Sequence, residues 1–535
     1  MTVTVGDRVQ VNLDFATVRF VGAVDGSNGE WLGVEWDDPA RGKHNGTHNG
    51  KRYFTSSSGH ETACSFIRFH PTKVRTARPF LQVLMEKYLD LPSGCDDYDA
   101  GKDLGEVYFG GNKGLVVQTV GFEKVQRKQS QLTSLTVVGL ANLHVGLAGP
   151  PGEIAAQNFN IRDLDLSKSL IRSWDTLADI VSQLPALNLL RLNYCRIESP
   201  PDDSSKLYRN NTSPFASLTT LALSNTSTTW AQVIKLEPLL QKLEDLQLGQ
   251  NDIQTISGVR SDQFQQLKCL NLENNDIQQW KDIESLGNLK SLEILYLNGN
   301  KIPSIEPIPE RMLSSLIYLR IENNLLDNWS SWDMLNTLPS LKKLRSKGNP
   351  VFKEMDPEHV TAHIVGRIKG LAVVDGNTLT GRERTDLERF YLTLCSRTAP
   401  THEEIARIHP RYKELCDAHG EPGLSVKSEK ATTMSDRLIG ITLSHRSELP
   451  SNAKSKAELG NPIKTVDKRV LATMLIRNLR NIVQKLFRIP ASRQRLYLLQ
   501  HSPSGDLMIM DLDDELRDLR FYSVEQGDEI VAIQD

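Results

Sequence analysis

L-Q-L-G-Q-N-D-I, at residues 246–253, is the stretch that decides the fold, because close copies of it follow along the chain. The copies read L-N-L-E-N-N-D-I from Leu270, L-Y-L-N-G-N-K-I from Leu295 and L-R-I-E-N-N-L-L from Leu319. A sequence that repeats itself at a nearly fixed interval predicts stacked units rather than one closed domain. The leucine that opens each unit recurs at intervals of 24 to 31 residues, as Leu135, Leu164, Leu190, Leu221, Leu246, Leu270, Leu295, Leu319 and Leu344.

The shared pattern, L-x-L-x-x-N-x-L, resembles the leucine-rich repeat. One short unit cannot bury its own apolar side, so the units stack and their leucines form a continuous core. A buried asparagine at the turn can bond backbone groups that the turn leaves unpaired, and Cys195 and Thr226 hold this position in earlier units. We interpret these asparagines as scaffold rather than as catalytic groups; they are Asn251, Asn275, Asn300, Asn324 and Asn349.

The composition limits the classes of protein to consider. At 535 residues, the chain is too long for one ordinary domain. Its formal net charge of −3 provides no global field for nucleic acid or a membrane surface. No apolar run approaches the roughly 18 residues that span a bilayer, and residues 1–17 lack the pattern of a signal peptide. The six cysteines include no C-x-x-C pair, so neither a zinc site nor a disulfide framework is indicated, and we expect a cytoplasmic protein.

Residues 1–90 predict a small all-β barrel or sandwich. An alternating stretch at 3–11 and β-rich stretches at 18–24, 31–36 and 51–54 are separated by Gly, Asn and Asp. Glycine lets a second backbone come close, and glycines are dense throughout this module. A glycine-rich loop beside aromatic residues indicates a groove for an extended peptide.

The motifs of this module resemble the CAP-Gly domain family; they are G-E-W-L-G-V-E-W from Gly29, G-K-H-N-G from Gly42, Tyr53-Phe54 and S-F-I-R from Ser65. The resemblance implies binding of C-terminal tails that end in Glu-Glu-Tyr or a similar acidic-aromatic group. In the family hallmark, Gly-Lys-Asn-Asp-Gly, Asn stands where this chain has His44 and Asp where it has Asn45. The implied tail-binding residues are Lys43 for the carboxylates, Trp31, Phe54 and Phe66 for the terminal ring, and His44, Asn45 and Arg68 beside them.

The local charge supports an acidic partner independently of the resemblance. Between Arg41 and Arg78, eight basic residues stand against one acid, Glu61, which is a local charge of +7. Such a patch attracts an acidic partner, and the attraction weakens as the salt concentration rises. The alternative is a solvated basic face with structural aromatic residues.

The strand side chains between the inward leucines are expected on the concave face of the array, which in solenoids commonly binds a large partner. From residue 245 onward they change from acidic and amide-rich to basic, and exposed Tyr and Arg are typical of protein interfaces. The predicted binding residues on this face are Gln247, Asn271, Glu273, Tyr296, Tyr318, Arg320 and Arg345.

The remaining chain predicts a cap on the array and a further module. Helices at 356–366, 385–394 and 403–419, with a strand at 371–375, are expected to seal the exposed end of the repeats. The last module should order its elements β-β-α-β-β with a final strand, which resembles the ubiquitin-like fold. Its second strand is faint, and an apolar pattern from Val470 to Leu486 predicts its helix.

The sequence therefore predicts a multidomain protein: an all-β CAP-Gly barrel, an α/β leucine-rich-repeat solenoid with a C-terminal cap, and an α+β ubiquitin-like (β-grasp) domain. The predicted boundaries are 1–90 for the CAP-Gly domain, 91–134 for a connector, 135–349 for the repeats, 350–420 for the cap, 421–432 for a linker and 433–535 for the ubiquitin-like domain.

This order of domains resembles the tubulin-folding cofactor E family across nearly the full length. The resemblance implies a cytoplasmic, cytoskeleton-associated chaperone without a cofactor of its own. It would bind the acidic tail of α-tubulin in the CAP-Gly groove and the tubulin body on the repeat face. It would act with other tubulin-folding cofactors in assembly and dissociation of the αβ-tubulin heterodimer.

Two other classes of protein remain open, and a third is not expected. A microtubule-binding adaptor would use the same groove, although no sustained heptads provide a coiled coil. A ubiquitin-pathway shuttle would use the last module but leaves the first one unexplained. An enzyme is not expected, because no nucleophile–base pairing, phosphate loop, metal-ligand spacing or nucleotide fingerprint is found.

Overall fold

The computed structural model describes residues 3–89, 132–424, 438–450, 456–501 and 507–534. The connector predicted at 91–134 and the linker predicted at 421–432 lie for the most part outside these residues. The chain divides into two compact units. The first unit contains residues 1–326, 338–341 and 345–349, and the second contains 327–337, 342–344 and 350–535.

The first unit begins with a five-stranded antiparallel sheet in the order β6-β3-β2-β1-β7, and a small hairpin of β4 and β5 lies outside it. The sheet closes over a core of Val9, Val18, Val34 and Trp36. The strand predicted from residue 3 begins only at Arg8, because Gly6 turns the chain with φ +93°. The strands are β1 Arg8–Val11, β2 Asp14–Ala23, β3 Glu30–Trp36, β4 Thr47–His48, β5 Lys51–Arg52, β6 Cys64–Ile67 and β7 Val74–Arg75.

Short parallel strands of the repeats follow, each three residues long and paired in register with its neighbours. In every one the central residue is buried, and from β11 onward it is the leucine that opens the unit. Helices α2 Trp174–Val181 and α3 Trp230–Leu236 lie on returning arms. The strands are β9 Val137–Gly139, β11 Asp163–Asp165, β12 Leu189–Arg191, β13 Thr220–Ala222, β14 Asp245–Gln247, β15 Cys269–Asn271, β16 Ile294–Tyr296 and β17 Tyr318–Arg320.

The buried asparagines have the scaffold role that the sequence predicts. The Asn251 amide donates to the carbonyls of Leu223 at 2.7 Å and Leu248 at 3.0 Å, and its oxygen accepts from the Thr226 N–H at 2.8 Å. Cys195 fills the same place in an earlier unit, where its Sγ lies 3.3 Å from the Leu166 carbonyl. Each amide thus ties one turn to the preceding unit.

The end of the N-terminal module packs against the first part of the array. Strand β8, Arg78–Pro79, pairs in parallel with β10, Val145–Leu147, and helix α1, Phe80–Leu89, packs against both. The Tyr88 hydroxyl accepts from the Gly139 N–H at 3.2 Å. The first repeat strand is therefore contacted by a helix within residues 1–90, a module that the sequence predicts to be all-β.

The second unit contains the predicted cap. Strand β18, Lys343–Arg345, is parallel to β19, Val373–Val374, at Lys343 and Leu344, and β19 pairs with β20, Asn377–Thr378. The helix predicted at 403–419 is two helices, because Pro410 cannot continue a helix and disfavours helical geometry at His409. The helices are α4 Trp329–Leu335, α5 Pro357–Arg367, α6 Gly381–Cys395, α7 His402–Ile408 and α8 Tyr412–His419.

The C-terminal module has the ubiquitin-like architecture that its pattern predicts. One helix, α9 Ile476–Phe487, packs on a five-stranded sheet in the order β22-β21-β25-β23-β24, with β21 and β25 parallel at its centre. The prediction of Val470 as part of the helix is wrong, because it lies in β22 and its side chain joins the core from the sheet. The strands are β21 Leu438–Arg446, β22 Lys464–Leu471, β23 Gln494–His501, β24 Leu507–Asp511 and β25 Glu529–Gln534.

Candidate functional site

The loop at 42–46, which carries the Gly-Lys-His-Asn-Gly motif, fits closely between two neighbouring segments of the N-terminal module. A Cβ on Gly42 would lie 1.9 Å from the Thr62 carbonyl oxygen, and one on Gly46 would lie 2.1 Å from that of Phe54. Gly46 also has φ +95°, which disfavours other residues. These two glycines are therefore required by the geometry of the loop itself.

Backbone bonds fix this loop to β6. The Lys43 N–H donates to the Cys64 carbonyl at 2.7 Å, and the Cys64 N–H donates to the His44 carbonyl at 2.8 Å. The Lys43 side chain is exposed and forms no ion pair with another described residue. Its ammonium group is thus available at the surface for a carboxylate.

His44 is held as a neutral ring. Its Nδ1 accepts the Gly46 N–H at 3.0 Å, so the ring proton of the neutral form lies on Nε2. Burial, and then the nearby His48, lower the pKa of His44 below its ordinary value. The ring is 5.0 Å from Phe66 and 6.4 Å from Phe54, measured between centroids, while Asn45 beside it is half-buried.

An aromatic cluster lies beneath this loop. Phe54 and Phe66 meet edge to face at 5.6 Å, and Phe20 and Tyr53 complete the cluster at 6.0 Å and 5.4 Å from Phe66. Phe54 is only 8% exposed, so Phe66, Tyr53 and His44, which are half-buried, provide most of the accessible ring surface. Phe20 and His48, which the sequence did not predict as site residues, also contact Phe66, each at 6.0 Å between centroids.

Trp31 lies apart from this cluster. The Arg68 guanidinium stacks on the Trp31 ring at 4.8 Å and donates to the Asn28 carbonyl at 2.9 Å. No ring contact joins Trp31 to Phe54 or Phe66 among the described residues. The structure therefore brings together Lys43, His44, Phe54 and Phe66, while Trp31 and Arg68 form a second, adjoining pair.

The positive patch is smaller than the sequence count. Arg41 pairs with Asp14 at 2.7 Å, Lys51 pairs with Asp25 at 2.9 Å, and Arg78 pairs with Glu86. Five exposed cations of the patch have no ion pair with a described residue; they are Lys43, Arg52, Arg68, Lys73 and Arg75. Lys43 lies in the loop itself and carries the charge that an acidic peptide in this groove would meet.

A second candidate surface follows the repeat strands. Its acidic and amide end is a ladder in which Asn271 donates to Gln247 at 2.8 Å and its own oxygen accepts the Glu273 N–H at 2.8 Å. Asn271 is only 6% exposed. Asn271 thus serves chiefly to order the ladder, whereas Gln247 and Glu273 are more accessible.

The other end of this surface combines aromatic and basic groups. Tyr296 and Tyr318 meet edge to face at 5.7 Å, and the Arg320 guanidinium lies 5.3 Å from the Tyr296 ring. Arg345 donates to the Tyr318 hydroxyl at 3.1 Å, and Glu322 pairs with Arg320 at 2.9 Å. Because each side chain is held by its neighbour, this cluster is a pre-ordered surface of the kind that protein interfaces favour.

In the described part of the chain, no three His, Cys, Asp or Glu side chains are grouped so as to hold a metal ion. None of the helices in those ranges has the length and apolar composition needed to cross a bilayer.

Comparisons with known proteins match the modules individually and the chain as a whole. Residues 5–72 match the CAP-Gly domain family, and residues 244–406 match a leucine-rich repeat family. The ubiquitin-like domain of mouse tubulin-specific chaperone e, solved in solution, aligns with 20% of this chain and 94% of its own at 21% identity and a TM-score of 0.15.

Several relatives match this chain over nearly its whole length. Tubulin-specific chaperone E of Bos taurus is 33% identical over 544 residues, covering 98% of this chain and 97% of the relative. The human protein of that name is also 33% identical over 98% of this chain, and tubulin-folding cofactor E of Arabidopsis thaliana is 29% identical over 96%. The chain therefore belongs to the tubulin-specific chaperone E family.

Proposed function

We propose that this protein is a cytoplasmic, cytoskeleton-associated chaperone that binds α-tubulin at two surfaces. The loop at 42–46 and the aromatic cluster beneath it hold the acidic tail, and the repeat surface from Gln247 to Arg345 holds the folded body. With other tubulin-folding cofactors it assembles and dissociates the αβ-tubulin heterodimer. The protein acts by binding rather than by catalysis.

The observation that carries this proposal is the position of Lys43. Its ammonium is exposed and unpaired among the described residues, and the same loop places His44 against Phe66. A tail that ends in an aromatic residue presents carboxylates and a ring close together. The loop carries an exposed cation next to a residue that contacts ring surface, which supports capture of such a tail.

The test titrates the full-length chain with a peptide that ends in Glu-Glu-Tyr, at low and high salt. Comparison peptides lack the terminal Tyr or end in an amide. We expect saturable binding that needs both the ring and the free carboxylate. Binding should weaken as salt rises, because the charged contacts lie at the surface.

Substitutions inside and outside the loop at 42–46 show whether the peptide binds there. We expect Lys43→Ala to weaken the peptide by about tenfold, which is the scale of one exposed charge-assisted contact. Lys73→Ala is the matched control, because Lys73 is an exposed lysine of the same module outside the loop. Tail capture in this groove would be rejected if the two variants bound the peptide with equal affinity, or if the peptide without its terminal Tyr bound as tightly as the intact one.

A further inference from the structure

The ubiquitin-like module has two sheet faces and two sheet edges, and the described residues show which are occupied. Helix α9 covers one face with the main core. On the other face, Leu459 packs with Leu499, Leu507 and Val531. Arg446 holds the segment that carries Leu459 by donating to the Leu459 carbonyl at 3.0 Å, and its guanidinium pairs with Glu529 at 3.1 Å. Both faces are therefore filled by this chain itself.

One edge, β24, faces the cap helices of the same unit. Residues 508–511 line a cavity of about 990 Å³ together with residues of α6. Arg382 of α6 forms an ion pair with Asp513, and the rings of Phe390 and Phe521 lie 5.3 Å apart. This edge therefore borders a cavity that the cap helices also line.

The remaining edge, β22, is open in the described part of the chain. The strand pairs with β21 over its whole length and has no second neighbour in the sheet. Because backbone groups along a strand point alternately to either side, half of those in β22 point away from β21. Such an edge is a template for one more strand, and proteins that do not use it usually shield it.

The chemistry around this edge is basic. The side chains of Lys464, Val466 and Lys468 lie on the same side of β22 as that of Val470, which is part of the core. Asp467 accepts a hydrogen bond from the Thr442 hydroxyl. Ile463, just before the strand, is 62% exposed. Strand β22 carries three exposed cations without an ion pair to a described residue, Lys464, Lys468 and Arg469, and Lys464 donates to the Leu486 carbonyl of α9 at 2.8 Å. The exposed cations of α9 and its C-cap without an ion pair to a described residue are Arg477, Lys485 and Arg488.

We propose that β22 and the adjoining basic side of α9 bind an acidic polypeptide segment of a partner protein, which adds as a further strand to the sheet. The open backbone edge selects a polypeptide over a nucleic acid or a lipid, since only a polypeptide repeats donors and acceptors at strand spacing. The cations select acidic side chains, and Ile463 and Val466 offer contact to apolar ones. This site is separate from the loop at 42–46 and does not depend on the proposed tail binding.

The opposing interpretation is that the lysines only prevent pairing of two β22 edges, a common protection of edge strands. The two interpretations differ in what happens to a suitable peptide. The probe is a short labelled peptide that alternates valine and glutamate and ends in an amide. It is titrated into the full-length chain carrying Lys43→Ala, so that the N-terminal loop does not compete for it.

One change in the peptide and one in the protein distinguish the contribution of backbone pairing to binding from the contribution of charge. In the peptide, methylation of alternate backbone nitrogens removes the donors of one edge and leaves every charge in place. In the protein, Lys468→Glu with Arg488→Glu reverses two exposed charges. Arg397→Glu is the matched control, an exposed arginine on the cap with no ion pair to a described residue.

The expected result is saturable binding that weakens by about tenfold in the double variant. Binding should stay unchanged in the control and disappear with the methylated peptide. The proposal is overturned if the peptide does not bind, if the methylated peptide binds equally well, or if Arg397→Glu has the same effect as the double variant. Binding of anionic phosphatidylserine vesicles in place of the peptide would also overturn it and make the surface a membrane contact.

Discussion

At the scale of single residues, the turns of the repeats show how one amide side chain can hold a fold together. Asn300 is 4% exposed, and its amide donates to the carbonyls of Leu272 and Leu297, each at 2.9 Å. Its oxygen accepts the Ile277 N–H at 3.1 Å. All three backbone groups are buried away from water and belong to two successive units, so this side chain stabilises the stacking itself.

Asn300→Ala should therefore cost about 2–4 kcal/mol, because it leaves buried backbone groups without partners. The loss is measured as reduced hydrogen-exchange protection of the neighbouring units, together with a lower denaturant midpoint. Gln278→Ala, at an exposed position nearby, should change neither quantity by more than about 0.5 kcal/mol. Equal effects of the two substitutions would contradict the structural role given to the amide.

Glu35 makes the stability of the N-terminal module depend on pH. Burial raises its pKa, but hydrogen bonds from Ser56 at 2.7 Å, the Ser58 N–H at 2.8 Å and Ser57 at 2.8 Å outweigh burial and lower the pKa to about 2. A lowered carboxyl pKa adds stability above the ordinary value of 4.5, and that stability disappears as the pH falls towards about 2.

Glu35→Gln should consequently destabilise the module at neutral pH, and its difference from the unaltered chain should shrink between about pH 4.5 and pH 2. Hydrogen exchange of residues 30–67, measured at several pH values, follows this change. Glu61→Gln is the control, since Glu61 is exposed and forms no ion pair with a described residue. A difference that stays constant with pH would show that the ionised form of Glu35 is not the stabilising one.

The residues of the sites were predictable to different degrees. Lys43 and His44 were found from the G-K-H-N-G motif and Phe66 from the S-F-I-R motif, and the structure places all three around one loop. Trp31 was expected in the same slot, but the sequence does not show which neighbour its ring packs against. Arg68 holds the Trp31 ring elsewhere. The roles of these residues in binding stay predictions.

At the scale of elements, helix α1 is where two modules meet. Its buried side chains Phe80, Leu81, Val83 and Leu84 lie against strands β8 and β10, and Tyr88 reaches β9. A repeat array exposes apolar surface at each end unless an element covers it. Helix α1 covers the first end, and so stabilises the repeats as well as the module that precedes it.

Leu84→Ala should cost about 2–5 kcal/mol, because Leu84 is fully buried and its loss leaves a cavity. The weakened protection should extend into the first repeat strands, β9 and β11, when followed by hydrogen exchange. Gln82→Ala on the exposed side of the helix is the matched control. Protection that falls only within residues 3–79 would mean that α1 belongs to the N-terminal module alone.

Elements whose apolar residues recur at a regular spacing were predicted from the sequence, whereas elements defined by tertiary contacts were not. The repeat strands from β11 onward were found because a buried leucine recurs in each. Strand β22 was faint because most of its residues are exposed and half are charged, as suits a sheet edge. The break between α7 and α8 needed only Pro410, a local signal that the apolar pattern around it concealed.

At the scale of the molecule, the first compact unit carries both proposed tubulin surfaces. Gln10 of the N-terminal module bonds His144 and, at 3.3 Å, Asn142 of the array, and Arg172 lies 3.7 Å from Asp7. These contacts fix the module to the repeats, so its groove is not on a free tether. A fixed relation between two weak contacts raises the effective concentration of the second contact once the first has formed.

The last prediction uses this coupling to ask whether one tubulin molecule occupies both surfaces. Lys43→Ala should weaken binding of intact α-tubulin but leave binding of α-tubulin without its C-terminal tail unchanged. Tyr318→Ala, which removes the ring that Tyr296 and Arg345 hold in place, should weaken both forms. Each loss should be about tenfold or more, because removal of one contact also removes its contribution to the avidity. Gln254→Ala, at an exposed position of the repeats, is the control for Tyr318→Ala. If Lys43→Ala weakened the tailless form as strongly as the intact one, the groove would not be reading the tail; if Tyr318→Ala left both forms unchanged, the repeat surface would not hold the body.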